Sequence, residues 1–226
     1  MMTTIVTIGD SMMAAKPLVP ANPEKGWAQI LPLYLRPTVR TANAAANGAS
    51  TRSFMTTGLW AAALKTLEPG DLVLIGFGHN DQKREATERY AASWSEFSKR
   101  LHTMVTASLE RGAYPFLLTP IVRRRFDADD RLIETHGDYP DAVRAVSQQA
   151  KCPLIDLHAM TRQWMGRYGA QESKAFYLHV AKQSHFGLDS PLTDDTHLSA
   201  LGAHMICDIV VGELLKYPEH RALIQM

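Results

Sequence analysis

Ser11, Asp194 and His197 are the residues of this sequence whose types could together carry out a nucleophilic reaction. A serine hydroxyl is a weak nucleophile at neutral pH, so it needs a base within hydrogen-bonding reach, and that base needs an acceptor to orient it. His197 follows Asp194 by three residues, so one short segment could supply both groups. The order serine, aspartate, histidine also occurs in α/β-hydrolases, but their Gly-x-Ser-x-Gly motif is absent around Ser11. The pattern therefore indicates acyl-transfer chemistry on a different scaffold.

Each of these residues, taken alone, also fits a purely structural role. Gly-Asp-Ser, here residues 9–11, is common in turns and at helix N-caps. Asp194 fits a cap for the helix that follows it, and His197 fits a hydrogen-bonded interior histidine. Asn80 also fits the role of a turn residue, and Gly48 fits a position with positive φ. It is the joint occurrence of these residues in order that favours catalysis.

The hydrophobic pattern predicts one α/β domain over residues 1–226. Short apolar or β-branched runs bounded by glycine, proline and polar residues predict five strands, at residues 4–8, 38–42, 71–77, 114–119 and 153–156. Apolar residues spaced by three and four predict helices, at residues 58–67, 88–111 (the longest), 139–150, 157–168 and 200–217. Alternating strands and helices predict a three-layer α/β/α sandwich around a mainly parallel five-stranded sheet.

A parallel sheet would bring the polar segments of the chain together. Ser11 follows the first predicted strand, residues 43–50 follow the second and residues 79–81 follow the third. Asp194 and His197 lie in a predicted loop, residues 193–199, before the last helix. Because parallel strands place their carboxyl ends at one edge, we expect these segments to meet there.

The composition is that of an ordinary globular protein. The 226 residues carry a formal charge of +1, and 46% are hydrophobic and 21% charged. The basic run at residues 123–125 is followed directly by acidic residues, which indicates a solvated loop rather than a nucleic-acid surface. Cys152 and Cys207 stand among apolar residues, which indicates two buried thiols rather than a disulfide or a metal pair.

We expect no nucleic-acid or membrane partner. The sequence has no run apolar and long enough to cross a bilayer, and its first residues lack the pattern of a signal peptide. These features predict a cytoplasmic protein, although a signal peptide that had been removed would leave no trace. The oligomeric state is not predicted.

Four ordered blocks of this sequence resemble those of the SGNH or GDSL-like hydrolases, and within them the rhamnogalacturonan acetylesterase-like branch. The resemblance covers nearly the whole chain. The first block is Gly9-Asp10-Ser11, and the second is Asn43 with Gly48, Ser50, Arg52, Ser53 and Phe54. The third block is Gly78-His79-Asn80-Asp81, and the fourth is Asp194-x-x-His197 followed by Ser199 and Gly202-Ala203. Four blocks in order are far more specific than any single one.

The resemblance implies a flavodoxin-like fold and a serine esterase that uses no cofactor and no metal. It implies that Ser11 is the nucleophile, His197 the base and Asp194 its partner. It further implies an oxyanion hole formed by the backbone N–H groups of Ser11 and Gly48 and by the side chain of Asn80. The implied substrate is a short acyl ester, most often acetyl, on a plant cell-wall polysaccharide or oligosaccharide such as rhamnogalacturonan.

Three other functions remain open from the residues. A lipase or thioesterase of the same family would act on other acyl esters. A two-metal phosphoesterase would need ligands, for which the suitable residues are Asp10, His79, Asn80, Asp81, Asp194 and His197. A carbohydrate-binding protein that had kept only the fold would be expected to have lost the serine or the histidine, and both are present.

Residues 171–192 match none of the blocks. Their aromatic residues Phe176, Tyr177 and Phe186 could either face a substrate or pack a lid against the core, and packing is the more common role for such side chains.

Overall fold

The computed structural model describes residues 3–225 and centres on a five-stranded sheet. Its strands are β1 (Thr4–Gly9), β2 (Arg40–Asn43), β3 (Leu72–Gly76), β4 (Tyr114–Leu118) and β5 (Leu154–Ile155). They are arranged in the order β2-β1-β3-β4-β5, and every neighbouring pair is parallel. This is the flavodoxin-like strand order, and it confirms the predicted α/β fold.

Helices cover both faces of the sheet. They are α1 (Trp27–Ile30), α2 (Thr51–Thr56), α3 (Leu59–Thr66), α4 (Ser98–Glu110), α5 (Tyr139–Ala150), α6 (Leu157–Glu172) and α7 (Ala200–Leu214). Short 3₁₀ segments are at Leu31–Tyr34, Ser173–Phe176 and Pro218–Leu223. No helix within residues 3–225 is both long and apolar enough to cross a membrane.

Alternate side chains of each strand enter two separate apolar layers, as the pleat requires. On one face Leu72 and Leu74 pack in a cluster that includes residues of α1, α6 and α7. On the other face Val73 and Ile75 pack in a cluster that includes residues of α3, α4 and α5. The three-layer prediction is thus correct. Cys152 and Cys207 are buried, unpaired thiols, also as predicted.

The predicted helix over residues 88–111 is wrong in its first part. The segment begins with a π-helical turn, Ser93–Phe97, before α4 starts. A π turn contains more residues per turn than an α-helix, so spacings of three and four across it no longer stay on one face. Trp94 is accordingly 58% exposed, whereas Phe97 and Leu101 are buried.

The structure also contains a second, two-stranded sheet that the sequence did not predict. Strand β6 (Tyr177–Val180) pairs antiparallel with β7 (Leu192–Leu198), so Asp194 and His197 lie on a strand and not in a loop. The sequence of β7 is polar on both faces and lacks the alternation that marks a strand.

Two of the three aromatic residues near β6 take the second of the two predicted roles, packing against the core. Phe176 and Tyr177 are buried, and the Tyr177 hydroxyl donates to the carbonyl of Val122 at 2.6 Å. Packing against the core is therefore correct for these two side chains. Phe186 is 87% exposed and contributes nothing to the core.

Candidate active site

Ser11 and His197 lie 186 residues apart in sequence and meet at the carboxyl edge of the large sheet. The Ser11 Oγ is 3.0 Å from Nε2 of His197, and Nδ1 of His197 is 2.7 Å from Oδ2 of Asp194. The carboxylate can only accept, so Nδ1 carries the proton and Nε2 is left to accept from the serine hydroxyl. The structure thus brings together the predicted Ser11, His197 and Asp194 in a chain of two hydrogen bonds.

Two backbone N–H groups of strand β7 hold the carboxylate of Asp194 in place. Its Oδ1 accepts from the backbone N–H groups of Thr196 and His197, at 2.7 and 3.0 Å. The hydrogen bond from the His197 ring and these backbone bonds outweigh the effect of burial and hold the pKa of Asp194 well below its usual range. In turn, the hydrogen bond to Asp194 raises the pKa of His197 despite the opposing effect of burial.

Ser11 is presented by a tight turn directly after β1. The carbonyl of Asp10 accepts from Met13 N and Ala14 N, and the Asp10 side chain accepts from Met12 N at 3.0 Å. Within residues 3–225 the N–H of Ser11 donates to no acceptor. The turn therefore leaves an unpaired donor beside the serine hydroxyl.

A second carboxylate–histidine pair lies behind the serine. Nδ1 of His79 is 3.0 Å from Oδ2 of Asp10, and Nε2 of His79 faces the carbonyl of Ile121 at 3.0 Å. Burial would raise the pKa of Asp10, but the charge and hydrogen bond of His79 outweigh it and the pKa is lowered. This buried pair supports the turn that carries Ser11, a role that the sequence did not assign to either residue.

Gly48 and Asn80 come to the site from the neighbouring loops. Gly48 has φ of +71°, a conformation in which glycine is favoured. Its N–H donates to no acceptor within residues 3–225. The Asn80 amide nitrogen donates to the carbonyl of Ala49 at 2.9 Å, which uses one of its two hydrogens and ties the two loops together.

One cavity of about 280 Å³ lies beside the serine and is lined by Ser11, His197, Gly48 and Asn80. All three residues predicted to supply the oxyanion donors therefore border the same cavity as the serine hydroxyl. The rest of its wall is polar and consists of Lys16, Glu24, Asn47, Lys83 and Arg89. Sequence reasoning missed the three cations, because nothing in their local sequence marks them as neighbours of Ser11.

The six residues considered for a metal site do not form one group. Asp194 pairs with His197 beside Ser11, and Asp10 pairs with His79 behind it. The Asn80 amide donates to the Ala49 carbonyl, and Asp81 accepts from Thr51 N and Oγ1 at 2.9 and 2.5 Å. Within residues 3–225 the one set of three side chains that could hold a metal, with ligand atoms inside 4.8 Å, is Glu134, His136 and His158. None of these three lines the Ser11 cavity.

The comparisons with known proteins identify the family of the chain. The model of the GDSL-like lipase/acylhydrolase family matches residues 7–205, and the chain belongs to that family. The family resemblance expected from the four sequence blocks is therefore confirmed.

Among individual relatives, the rhamnogalacturonan acetylesterase RhgT of Bacillus subtilis is 36% identical over 202 residues, which span 89% of this chain and 85% of that protein. The probable rhamnogalacturonan acetylesterase YesY of the same organism is 26% identical over 211 residues, covering 92% of this chain and 87% of YesY.

Solved structures share the fold. The YxiM protein of Bacillus subtilis superposes with a TM-score of 0.80 at 25% identity, covering 96% of this chain, and this chain spans 57% of that one. An acetylxylan esterase, Axe2 of Geobacillus stearothermophilus, superposes with a TM-score of 0.68 at 17% identity over 93% of both chains. At that identity the second likeness shows the fold alone.

Proposed function

We propose that this protein is a serine carboxylesterase that removes acetyl groups from a plant cell-wall polysaccharide or its oligosaccharide fragments, with rhamnogalacturonan as the favoured polymer. The observation that carries the chemistry is the hydrogen-bonded chain Ser11–His197–Asp194 opening into a cavity with unpaired donors. The observations that favour the substrate are the 36% identity to a rhamnogalacturonan acetylesterase and the polar cavity wall.

In the first half of the reaction Ser11 Oγ attacks the ester carbonyl carbon while Nε2 of His197 takes the hydroxyl proton. The imidazolium that forms is stabilised by the Asp194 carboxylate, which is already ionised and fixed by two backbone N–H groups. His197 then gives its proton to the sugar oxygen, the bond between carbonyl carbon and sugar oxygen breaks, and Ser11 keeps the acetyl group.

In the second half a water molecule replaces the sugar alcohol. His197 takes a proton from the water as it attacks the acetyl-serine and returns it to Ser11 Oγ, which releases acetate. Both halves pass through a tetrahedral oxyanion, and the N–H groups of Ser11 and Gly48 and the second hydrogen of the Asn80 amide are the donors that receive it.

The wall of the cavity favours a small acyl group over a fatty one. Within residues 3–225 no apolar side chain lines the cavity around Ser11. Apart from the methylene groups of Lys16, Lys83 and Arg89, a long acyl chain would therefore meet polar groups, and it would gain less from leaving water than in a pocket of aliphatic and aromatic side chains. A sugar ring with its hydroxyl groups suits the same surface, which carries many hydrogen-bond donors.

A substrate panel tests the proposal. We expect the purified protein to release acetate from acetylated rhamnogalacturonan oligosaccharides, and to hydrolyse p-nitrophenyl acetate faster than the butyrate, octanoate and palmitate esters. A higher kcat/KM for the long esters than for the acetate, with no acetate released from any sugar, would replace this function by that of a lipase or thioesterase.

Adding a chelator to the same assays addresses the metal-dependent alternative. The proposed steps use only Ser11, His197, Asp194 and backbone or amide donors, so the rate should be unchanged after incubation with EDTA. Loss of activity that is restored by a divalent cation would instead favour metal-assisted hydrolysis.

A further inference from the structure

The wall of the catalytic cavity contains more positive than negative groups. Lys16, Lys83 and Arg89 line it together with a single carboxylate, Glu24. Glu24 is already used, because its Oε1 lies 2.7 Å from the Nζ of Lys16. The Lys16 ammonium also donates to the side chain of Asn47, and its side chain is only 3% exposed. The charge of Lys16 is therefore balanced by Glu24, and its buried side chain forms a fixed part of the cavity wall.

Lys83 and Arg89 are not neutralised in this way. Within residues 3–225 the Lys83 ammonium forms no ion pair with a carboxylate. Arg89 pairs with its neighbour Glu88 at 3.3 Å, but the side chains are 39% and 66% exposed. An exposed pair of this kind contributes little free energy, so a ligand carboxylate can replace Glu88 at small cost.

Both cations come from the loop that also carries Asn80. Successive backbone hydrogen bonds, Lys83 N to Asn80 O, Ala86 N to Lys83 O and Arg89 N to Ala86 O, fold this loop into consecutive turns. A guanidinium nitrogen of Arg89 lies 3.4 Å from the place where a Cβ on Gly48 would stand. Arg89 is thus held beside Gly48, one of the groups proposed to bind the oxyanion, and Lys83 lines the same cavity.

A second cavity of about 620 Å³ adjoins the first, and Lys83 lines both. This volume is within the range of roughly 300–1,000 Å³ found for small-molecule sites. Arg123 and Arg125 also line it, together with Glu85 and Glu134. Glu134 also lies 3.1 Å from His158 Nε2 and 3.5 Å from an Arg162 nitrogen, in an ion pair about as exposed as that of Arg89 with Glu88. Three cations, Lys83, Arg123 and Arg125, line this second cavity against two carboxylates, so its wall, like that of the first, carries a net positive charge.

We propose that these two cavities form one cleft that binds an acidic oligosaccharide, in which Lys83 and Arg89 receive the carboxylate of a uronate residue close to the acetylated position. This inference rests on the proposed function and assigns the recognition of the substrate's charge to two residues of the cavity wall. With Lys83 and Arg89 in this role, a polymer that contains galacturonate binds more tightly than a neutral polymer such as xylan. Charge-assisted hydrogen bonds from ammonium and guanidinium groups to the carboxylate supply the selectivity.

Binding of an unacetylated ligand tests the inference without depending on turnover. The probes are trigalacturonate and its fully methyl-esterified form, which keeps the sugar rings and removes the charges. By isothermal titration we expect wild-type protein to bind the charged form about ten-fold more tightly or better. In the Lys83→Gln and Arg89→Gln variants that ratio of Kd values should fall several-fold each. Raising the salt concentration should weaken binding of the charged form only.

Lys99→Gln is the matched control. Lys99 is an exposed cation on α4 that lines neither cavity, so its removal makes the same change in net charge elsewhere on the surface. The ratio of Kd values should stay at the wild-type figure in this variant. Equal affinity of wild-type protein for the two probes, or an equal loss of selectivity in Lys99→Gln, would overturn the inference.

The substrate panel separates this inference from the proposed function. Acetylated oligogalacturonides should be deacetylated with a higher kcat/KM than acetylated xylo-oligosaccharides, and the Lys83→Gln variant should reduce that preference mainly through KM. Selective binding of trigalacturonate without any acetate release would refute the proposed function and keep the binding site. Acetate release without charge selectivity in either assay would refute this inference and keep the proposed function.

Discussion

At the scale of single residues, the protein contains two carboxylate–histidine pairs near one serine, and they differ in burial and direction. The Asp194–His197 pair is about one-third exposed and its free ring nitrogen faces Ser11 Oγ at 3.0 Å. The Asp10–His79 pair is almost fully buried, and the second nitrogen of His79 faces a backbone carbonyl. Only the first pair can exchange a proton with Ser11, so it supplies the base while the second pair supports the turn.

The pH dependence of activity should follow the ionisation of His197. The histidine must be neutral to accept a proton from Ser11, and Asp194 raises its pKa above the ordinary value of about 6.5. We therefore expect kcat/KM to rise with pH through an apparent pKa above about 6.5. In the Asp194→Asn variant the apparent pKa of the remaining activity should be lower than in wild type, because the carboxylate that stabilises the imidazolium is gone. A profile that stays flat between about pH 5 and pH 8 would argue against a histidine base.

Asn80 allows the oxyanion donors to be tested by mutation. Its amide has one hydrogen bound to the Ala49 carbonyl and a second free for the substrate oxygen. Removing one such donor typically costs about 3 to 4 kcal/mol in the transition state, so Asn80→Ala should lower kcat by about a hundred-fold or more with little change in KM. A KM effect without a kcat effect would place Asn80 in substrate binding. Thermal unfolding of the variant checks that loss of the Ala49 bond has not loosened the loop.

At the scale of elements, apolar periodicity predicts those elements that are buried on a regular face. Helix α5 and strand β3 follow their sequence patterns closely. Strand β7 does not, because its side chains serve the site and ion pairs: Asp195 on this strand pairs with His179 and Arg124. Polar residues with individual partners leave no period in the sequence, so the hairpin could not be predicted from it.

The carboxyl ends of β1 and β3 approach so closely that only glycine fits. Gly9 and Gly76 are register partners, and a Cβ on Gly9 would overlap the carbonyl oxygen of Gly76 and the sulfur of Met13. Gly9→Ala should therefore lower the free energy of unfolding by at least about 1 to 3 kcal/mol. Because a backbone oxygen cannot move aside as a side chain can, most of this cost should remain after relaxation.

Gly166→Ala is the control for that prediction. Gly166 lies in α6 with open space where a Cβ would stand, so alanine there should leave stability unchanged or raise it by up to about 1 kcal/mol. Urea unfolding of both variants is the measurement. Equal stability of Gly9→Ala and wild type would show that the two strand ends are farther apart than described.

At the scale of the whole molecule, the strand order explains why the site forms where it does. Strand β1 lies between β2 and β3, so the loops that carry Ser11, Gly48 and Asn80 are neighbours. His197 lies on β7, which belongs to the two-stranded sheet. Residues 25–27 form backbone hydrogen bonds both to the segment of His197 and to the segment of Ser11. Lys25 N donates to Leu198 O, beside the histidine, and Trp27 N donates to Met12 O, beside the serine. This short segment thus sets the separation of the two catalytic groups.

The same view shows what the sequence can and cannot predict about the site. Ser11, Asp194, His197, Gly48 and Asn80 stand in recognisable blocks, and a parallel sheet is sufficient to predict that their segments meet. Lys83 and Arg89 line the cavity only because consecutive turns direct their long side chains towards it. The pairing of Asp10 with His79 depends on contact between two loops. Neither arrangement has a local sequence signature.

The central claim, that Ser11 is the nucleophile, is tested most directly by the rate of acetate release by purified Ser11→Ala protein, with Ser190→Ala as a matched control. Ser190 is exposed and lies outside the cavity, so its variant should behave as wild type. The account predicts that Ser11→Ala remains folded and loses about four orders of magnitude or more in kcat, since only binding and the oxyanion donors remain. Turnover by Ser11→Ala within about ten-fold of wild type would contradict the account, because no covalent serine mechanism could then operate at this site.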